Sequence, residues 1–162
     1  MGEQDVTFRQ SIGRFLTPFY MASSRIRRGM TLGVRGAVLD GDGQVFLVKH
    51  TYVPGWYLPG GGVDPGETIG EAMARELVEE GNIAVTAPPQ LIGLYQNRDI
   101  SRRDHVAFFL IRAFAQAGPR LADGEIAEAG FFPLEALPPD TTKATHRRLA
   151  ELAGQRQPDG YW

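Results

Sequence analysis

Cysteine is absent from this chain of 162 residues. Disulfides, thiolate metal sites and cysteine nucleophiles are therefore excluded. Long hydrophobic runs are lacking too, since no apolar stretch approaches the roughly 18 to 20 residues of a membrane-spanning helix. The N-terminus lacks the basic start, apolar middle and small-residue cleavage site of a secretory signal. These absences predict a cytoplasmic protein that does not span a membrane.

A surplus of basic charge is also lacking. Lysine and arginine number 17 against 19 aspartates and glutamates, which gives a formal net charge of −2. A dedicated nucleic-acid binder usually shows a basic surplus, so we expect no nucleic-acid partner. The length suits one domain, and no repeat, low-complexity tract or linker divides the chain.

What the sequence does contain is a glycine-rich loop followed by a short helix with clustered carboxylates. The glycines at positions 60–62 allow the backbone to approach a ligand more closely than side-chained residues would. On the following helix, Glu76, Glu79 and Glu80 fall within an arc of roughly 100°. Such concentrated negative charge weakens a helix unless a cation neutralises it. Because Mg²⁺ prefers carboxylate and carbonyl oxygens, shared with substrate phosphates, the pattern predicts a magnesium site for a phosphate-containing substrate.

The spacing of these residues resembles the signature of the Nudix hydrolase family. That signature has a glycine, a glutamate after five further residues, and an arginine-glutamate pair after seven more, followed by two glutamates, a glycine and an aliphatic residue. The matching positions are Gly61, Glu67, Arg75, Glu76, Leu77, Glu79, Glu80 and Ile83. A signature this long is far more specific than a lone glycine-rich hexapeptide.

One position departs from the family pattern. Asn82 stands where the family usually has glycine, and Gly81 lies one place earlier. This position is similar to one that ends the helix, and asparagine is the next-best residue there for a left-handed conformation. We expect Asn82 to adopt that conformation; the alternative is that Gly81 does so and the helix stops one residue early.

The resemblance implies the fold and its extent. It implies an α/β fold, the Nudix three-layer α/β/α sandwich around a mixed β-sheet, over residues 29–153. Apolar residues at helical spacing within residues 6–20 indicate that residues 1–28 form an N-terminal helical extension. That helix would pack on the domain or on a partner subunit, in the second case in a homodimer. Residues 154–162 are assigned to a C-terminal tail.

The resemblance also implies the chemistry. The reaction would be Mg²⁺-dependent hydrolysis of a diphosphate linkage in a nucleoside diphosphate linked to another moiety, with Mn²⁺ able to substitute. By resemblance, Glu76, Glu79 and Glu80 coordinate the metal, with the Gly60 carbonyl as a further ligand. Which carboxylate accepts the proton of the attacking water varies in the family, and Glu79 is the favoured candidate. The number of metal ions stays open.

Arg75 and Glu67 resemble the internal ion pair of the family. In that pair the arginine orients the glycine loop, including Gly61, and the neighbouring Glu76. A planar guanidinium serves this purpose better than a lysine, because it can bind a carboxylate through two parallel hydrogen bonds.

Three further residues are candidates for substrate contacts. Trp56 either stacks on a nucleobase or packs beneath the glycine loop. Arg98 belongs to a basic stretch that could approach the phosphates. Glu125 lies in a predicted loop comparable to one that carries an extra metal ligand or base in some relatives; the alternative is plain solvent exposure.

Substrate identity is open among nucleoside triphosphates and nucleotide sugars, which are the broadest candidates. The rival class is a non-catalytic nucleotide-sensing or protein-interaction module on the same fold. Such a module would be expected to lose charges from the signature, whereas every carboxylate is present here.

The remaining elements follow from local patterns. Predicted strands cover 30–39, 44–49, 91–95, 105–114 and 130–132. A hairpin turn is predicted at Asp40-Gly41-Asp42-Gly43. Ile69, Met73 and Leu77 should dock the carboxylate helix onto the sheet. Thr141 or Thr142 is expected to cap a last helix that runs through Leu152.

Overall fold

The computed structural model of the protein describes residues 29–162. The helix predicted within residues 6–20 lies outside the described residues. The strands are β1 Thr31–Val38, β2 Val45–His50, β3 Ile83–Val85, β4 Gln90–Gln96, β5 Asp104–Ile111, β6 Phe114–Gln116 and β7 Ile126–Phe132. The helices are α1 Ile69–Gly81 and α2 Lys143–Leu152. In this described part of the chain, neither helix has the length and apolar character needed to cross a membrane.

The largest sheet is mixed. Strand β5 is its centre, with β1 parallel on one side and β4 antiparallel on the other. Two antiparallel pairs, β2 with β7 and β3 with β6, complete the strand pairing. The prediction of an α/β fold around a mixed sheet is confirmed.

The strands lie between two apolar cores, each of which includes one helix. Successive residues of a strand point to opposite faces, and in β2 Phe46 joins the first core while Leu47 joins the second. Met73 and Leu77 of α1 pack in the first core, as predicted, and Leu149 of α2 packs in the second. This arrangement of helix, strands and helix corresponds to the expected three-layer sandwich.

The predicted hairpin between the first two strands is only partly correct. The turn forms, with the Gly43 N–H donating to the Asp40 carbonyl at 3.2 Å. The strands then separate after a single bridge between Leu39 and Val45. They separate because residues 59–63 occupy the free edge of β1: the Val34 N–H donates to the Gly61 carbonyl at 2.8 Å. The glycine loop is thereby fixed against the centre of the domain.

Two strand predictions have wrong bounds. The predicted strand at 105–114 is divided, because β5 ends at Ile111 and the chain pairs again as β6 with β3, which was not predicted. The predicted strand at 130–132 begins earlier, at Ile126, because β7 pairs along the whole of β2. Long-range pairing of this kind leaves no local pattern in the sequence.

The helix ends follow local sequence chemistry. Helix α1 starts in a capping box, in which Thr68 and Glu71 each bond the backbone N–H of the other. It ends at Asn82, whose φ of 53° and ψ of 31° are left-handed, so the expectation for Asn82 is confirmed and that for Gly81 is not. Thr142 caps α2, which ends at Leu152 as predicted.

The last residues differ from the predicted tail. The Gln96 N–H donates to the Gly160 carbonyl at 2.9 Å, and the Trp162 N–H donates to the Gln96 carbonyl at 3.0 Å. The Trp162 ring packs edge-on against Tyr95 and Phe108 in the second core. The end of the described chain is thus bound to β4.

Candidate active site

The glycine loop approaches β1 so closely that it has no room for side chains. A Cβ at Gly60, where φ is 142°, would lie 2.1 Å from the Val34 carbonyl oxygen. The Gly60 N–H donates to Oε2 of Glu80 at 2.7 Å. Among residues 29–162, no hydrogen-bond donor contacts the Gly60 carbonyl, whereas the Gly61 carbonyl binds the Val34 N–H. The Gly60 carbonyl therefore retains its capacity to bind a ligand.

Arg75 connects the glycine loop with three glutamates. Its Nε and one terminal nitrogen donate to the two oxygens of Glu67, at 2.9 and 3.0 Å. The same fork reaches the Gly62 carbonyl at 3.0 Å, Glu76 at 2.8 Å and Glu79 at 3.3 Å. Hydrogen bonds from Arg75 hold the pKa of Glu67 below its usual range. The contact that the resemblance implied between Arg75 and Glu67 is therefore present.

Glu76 lies under the glycine loop with 9% of its surface exposed. Burial raises the pKa of its carboxyl above the ordinary 4.5, against the opposing effect of Arg75. One positive charge shared among three glutamates does not neutralise this carboxylate fully. The Glu76 site therefore has an electrostatic deficit that a cation would relieve.

Glu80 is buried more deeply, with 5% of its surface exposed. Burial raises its pKa to about 7, although the positive charge of Arg35 and the hydrogen bond from Gly60 oppose the rise. On its other side, Nε2 of His50 lies 3.5 Å from Oε1 of Glu80. His50 is itself buried, and burial together with Arg35 lowers the pKa of its imidazole.

Glu79 differs from the other two glutamates because 57% of its side chain is exposed. The three predicted metal ligands thus lie on one helix, two beneath the loop and one at its rim. Within residues 29–162, however, no three His, Cys, Asp or Glu side chains are arranged as a metal-binding group. The helix provides the oxygen donors, but their side chains do not converge as they stand.

Sequence reasoning missed two residues beside these carboxylates. Arg35 on β1 donates to the Leu58 carbonyl at 2.9 Å, and its charge lowers the pKa of Glu80. A charged residue within an apolar strand was the signal that could have identified it. Tyr52 lies near the same groups: burial and the charges of Glu125 and Glu80 raise the pKa of its phenol.

The substrate-contact candidates occupy different surroundings. Trp56 is only 6% exposed and packs edge-on against Phe132, which favours the packing alternative over base stacking. The Arg98 guanidinium lies 3.4 Å from the ring centroid of Tyr161, and no described contact joins it to α1. Glu125 is exposed, and its negative charge raises the pKa of Glu80.

A cleft of about 760 Å³ opens between the glycine loop and the start of α2. Its lining includes Arg35 and Tyr57 beside the loop, Asn97 beyond β4, and Lys143 and Arg147 on α2. Volumes of roughly 300 to 1,000 Å³ are typical of small-molecule sites. The cleft is therefore large enough for a nucleotide-sized ligand.

Comparison with known proteins gives the family. The model of the NUDIX domain matches residues 29–153. The crystal structure of a MutT NUDIX hydrolase from Burkholderia pseudomallei superposes with a TM-score of 0.62 at 30% identity, over 72% of this chain and 92% of that one. The chain belongs to the Nudix family.

Two curated relatives carry names that specify substrates. A putative 8-oxo-dGTP diphosphatase of Bacillus subtilis is 42% identical over 96 residues, which cover 58% of this chain and 60% of that protein. An ADP-ribose pyrophosphatase of Methanocaldococcus jannaschii is 34% identical over 104 residues, 62% of this chain and 61% of that protein. The chain therefore matches about three fifths of the length of each relative.

Proposed function

We propose that this protein is a Nudix pyrophosphohydrolase that hydrolyses a diphosphate linkage in a nucleoside diphosphate linked to another moiety, with Mg²⁺ as its cofactor. The observation that carries the proposal is the pair of buried carboxylates, Glu76 and Glu80, beneath a glycine loop that a nucleotide-sized cleft adjoins. Burying two carboxylates is costly unless positive charge compensates them. A site that binds a cation together with an anionic substrate explains why the fold retains them.

The donor set fits a hard divalent cation. Glu76, Glu79 and Glu80 would hold it together with the Gly60 carbonyl, since all four are oxygen donors of the kind that Mg²⁺ prefers. Mn²⁺ would be accepted by the same set. When bound, the cation supplies positive charge to the diphosphate oxygens and promotes the ionisation of water.

The side chains around the cation have separate roles. Arg75 holds Glu76 and Glu67 in place and keeps the glycine loop against the helix. Glu79 is our candidate for the base that accepts the proton of the attacking water, because its carboxylate is exposed whereas Glu76 and Glu80 lie under the loop. Arg35 faces the same carboxylates and the cleft, where it can attract a phosphate.

The substrate class is supported by the names of the relatives. One is named for 8-oxo-dGTP and another for ADP-ribose, both nucleotide derivatives with a diphosphate linkage. We propose a nucleoside triphosphate or a nucleotide sugar as the substrate of this chain. A cytoplasmic location and a homodimer stay predictions from the sequence.

A panel of diphosphate compounds tests the proposal. Nucleoside triphosphates, oxidised guanine nucleotides, ADP-ribose and nucleotide sugars would be incubated with Mg²⁺, with Mn²⁺ and with chelator, and the nucleotide products separated. We expect Mg²⁺-dependent release of a nucleoside monophosphate from at least one compound. Equal product with and without chelator would contradict the role of the cation.

A non-catalytic nucleotide-sensing or interaction module is the second candidate. It is favoured by one observation, namely that the described side chains do not converge into a metal-binding group as they stand. The same panel separates the two functions. A compound that binds in the presence of Mg²⁺ and is recovered intact after prolonged incubation would support the module.

A further inference from the structure

Arg120 joins the end of α1 to the loop that leads into β7. Its Nε donates to the Glu79 carbonyl at 2.9 Å, one of the last carbonyls of the helix. One terminal nitrogen donates to the Leu121 carbonyl at 2.8 Å, and the other pairs with the Asp123 carboxylate. The side chain is largely buried, with 16% exposed. A single guanidinium thus connects a residue of the carboxylate helix with the loop.

Asp123 passes this connection on to Glu125. Its Oδ1 accepts the N–H groups of Glu125 and Ile126, both at 2.8 Å. These hydrogen bonds and the ion pair with Arg120 hold the pKa of Asp123 far below its usual range, so it is an anion at neutral pH. The geometry of the turn at Glu125 therefore depends on an aspartate that Arg120 holds.

The far end of the loop is attached beside the active site. The Thr51 N–H donates to the Glu125 carbonyl at 2.9 Å, and the Thr51 hydroxyl donates to the Gly124 carbonyl at 2.8 Å. Thr51 directly follows His50, whose imidazole lies 3.5 Å from Glu80. The negative charge of Glu125 raises the pKa of Glu80 and of Tyr52, so it acts on the same cluster.

We propose that Arg120 is a positioning residue that holds Glu125 at the carboxylate cluster by connecting the Glu79 carbonyl with Asp123. The inference rests on the proposed function, because it concerns the geometry of that reaction. Arg120 itself does not touch the substrate. It keeps the loop in register with the helix that carries Glu76, Glu79 and Glu80, so that Glu125 faces the site as a fourth carboxylate.

A double-mutant cycle tests this inference. Arg120→Met, Glu125→Gln and the double variant would be compared in Mg²⁺-dependent turnover of the best panel compound. Arg112→Met serves as the matched control, because Arg112 is exposed and makes no hydrogen bond or ion pair with residues 29–162. We expect each single change to lower kcat by about tenfold with little change in KM, and the double variant to lose no more than the worse single variant. Arg112→Met should retain wild-type kinetics.

The cycle also defines what would overturn the inference. Losses that multiply to about 100-fold in the double variant would mean that Arg120 acts independently of Glu125. Wild-type kcat in Arg120→Met or in Glu125→Gln would overturn it as well. Should Arg120→Met fail to fold, Asp123→Asn tests the same connection with the arginine retained, and the same outcomes apply.

Amide hydrogen exchange separates this inference from the proposed function. In Arg120→Met, the amides of Glu125 and Ile126 should exchange faster than in the wild type, while those of β5 should not change. Unchanged exchange at both amides would overturn the positioning role. A wild-type protein that hydrolyses no diphosphate contradicts the proposed function instead, and the exchange comparison then still decides the role of Arg120.

Discussion

Gly61 leaves open the space that the Glu76 carboxylate occupies. A Cβ at position 61 would lie 2.4 Å from Oε1 of Glu76, closer than any stable contact. The neighbouring Gly62 has no atom within 4 Å of the corresponding Cβ position. Two adjacent glycines of one loop therefore have different reasons to be there, and only the first is required by the site.

Replacing Gly61 should damage the site more than the fold. Gly61→Ala must displace Glu76, so we expect kcat to fall by about tenfold or more, since small misplacements of catalytic groups are costly. Gly62→Ala is the matched control and should keep wild-type kinetics and melting temperature. Steady-state kinetics of both variants check this. Equal activity in the two variants would contradict the account of Gly61.

The end of α1 makes a prediction about stability. Because Asn82 is left-handed, Asn82→Gly should be neutral or slightly stabilising, and Asn82→Val should destabilise by about 1 kcal/mol or more. Gly81 is not left-handed, but its Cβ would lie 2.9 Å from Cδ1 of Ile83, so Gly81→Ala should destabilise through packing instead. Denaturant unfolding of the three variants measures this. An Asn82→Val variant as stable as Asn82→Gly would refute the role of Asn82 as the cap.

Burial of Glu80 predicts a pH dependence of stability in the absence of metal. Its pKa is about 7 when folded and near 4.5 when unfolded, so the folded state binds the proton more strongly. That stabilisation is fully present below pH 4.5 and is lost as the pH rises through 7. Relative to Glu80→Gln, which does not titrate, the wild type should lose about 3 kcal/mol between pH 4.5 and pH 8.5.

Unfolding free energies of the two proteins across that range, with chelator present, measure the loss. Glu135→Gln is the control, because Glu135 is exposed and forms no ion pair with residues 29–162. Its difference from the wild type should stay constant with pH. A constant difference for Glu80→Gln as well would contradict the raised pKa of Glu80.

A divalent cation should stabilise the folded protein. It relieves the charge deficit at Glu76 and Glu80 and binds only the folded state, so stability rises by mass action. At a concentration of about 100 times Kd, we expect the melting temperature to rise by roughly 5 to 10 °C with Mg²⁺ or Mn²⁺. The double variant Glu76→Gln/Glu80→Gln should show no shift. An equal shift in that variant would place the cation elsewhere.

The parts of the molecule that the sequence predicts well are local. The capping box at Thr68, the left-handed Asn82 and the cap at Thr142 each depend on residues within a few positions, so their chemistry is visible in the sequence. The glycine loop and the carboxylate helix are adjacent in the chain for the same reason. A fixed short spacing lets one read both from a single segment.

The parts that could not be predicted depend on distant contacts. The separation of β1 from β2 arises because the glycine loop competes for the edge of β1. Arg35 and His50 lie beside Glu80 only because their strands pass under α1, which no pattern along the chain reports. Trp56 illustrates the reverse case, since an aromatic residue before a binding loop reads equally well as core or as ligand contact.

The most direct test of the account is Mg²⁺-dependent turnover of the best panel compound by Glu79→Gln and Glu80→Gln. Each change preserves shape and removes a charge that the metal needs, so we predict that kcat falls by roughly 100-fold or more while both variants fold cooperatively. Glu135→Gln should retain the wild-type rate. Near-wild-type kcat in Glu79→Gln or Glu80→Gln would contradict the assignment of these carboxylates to the metal site.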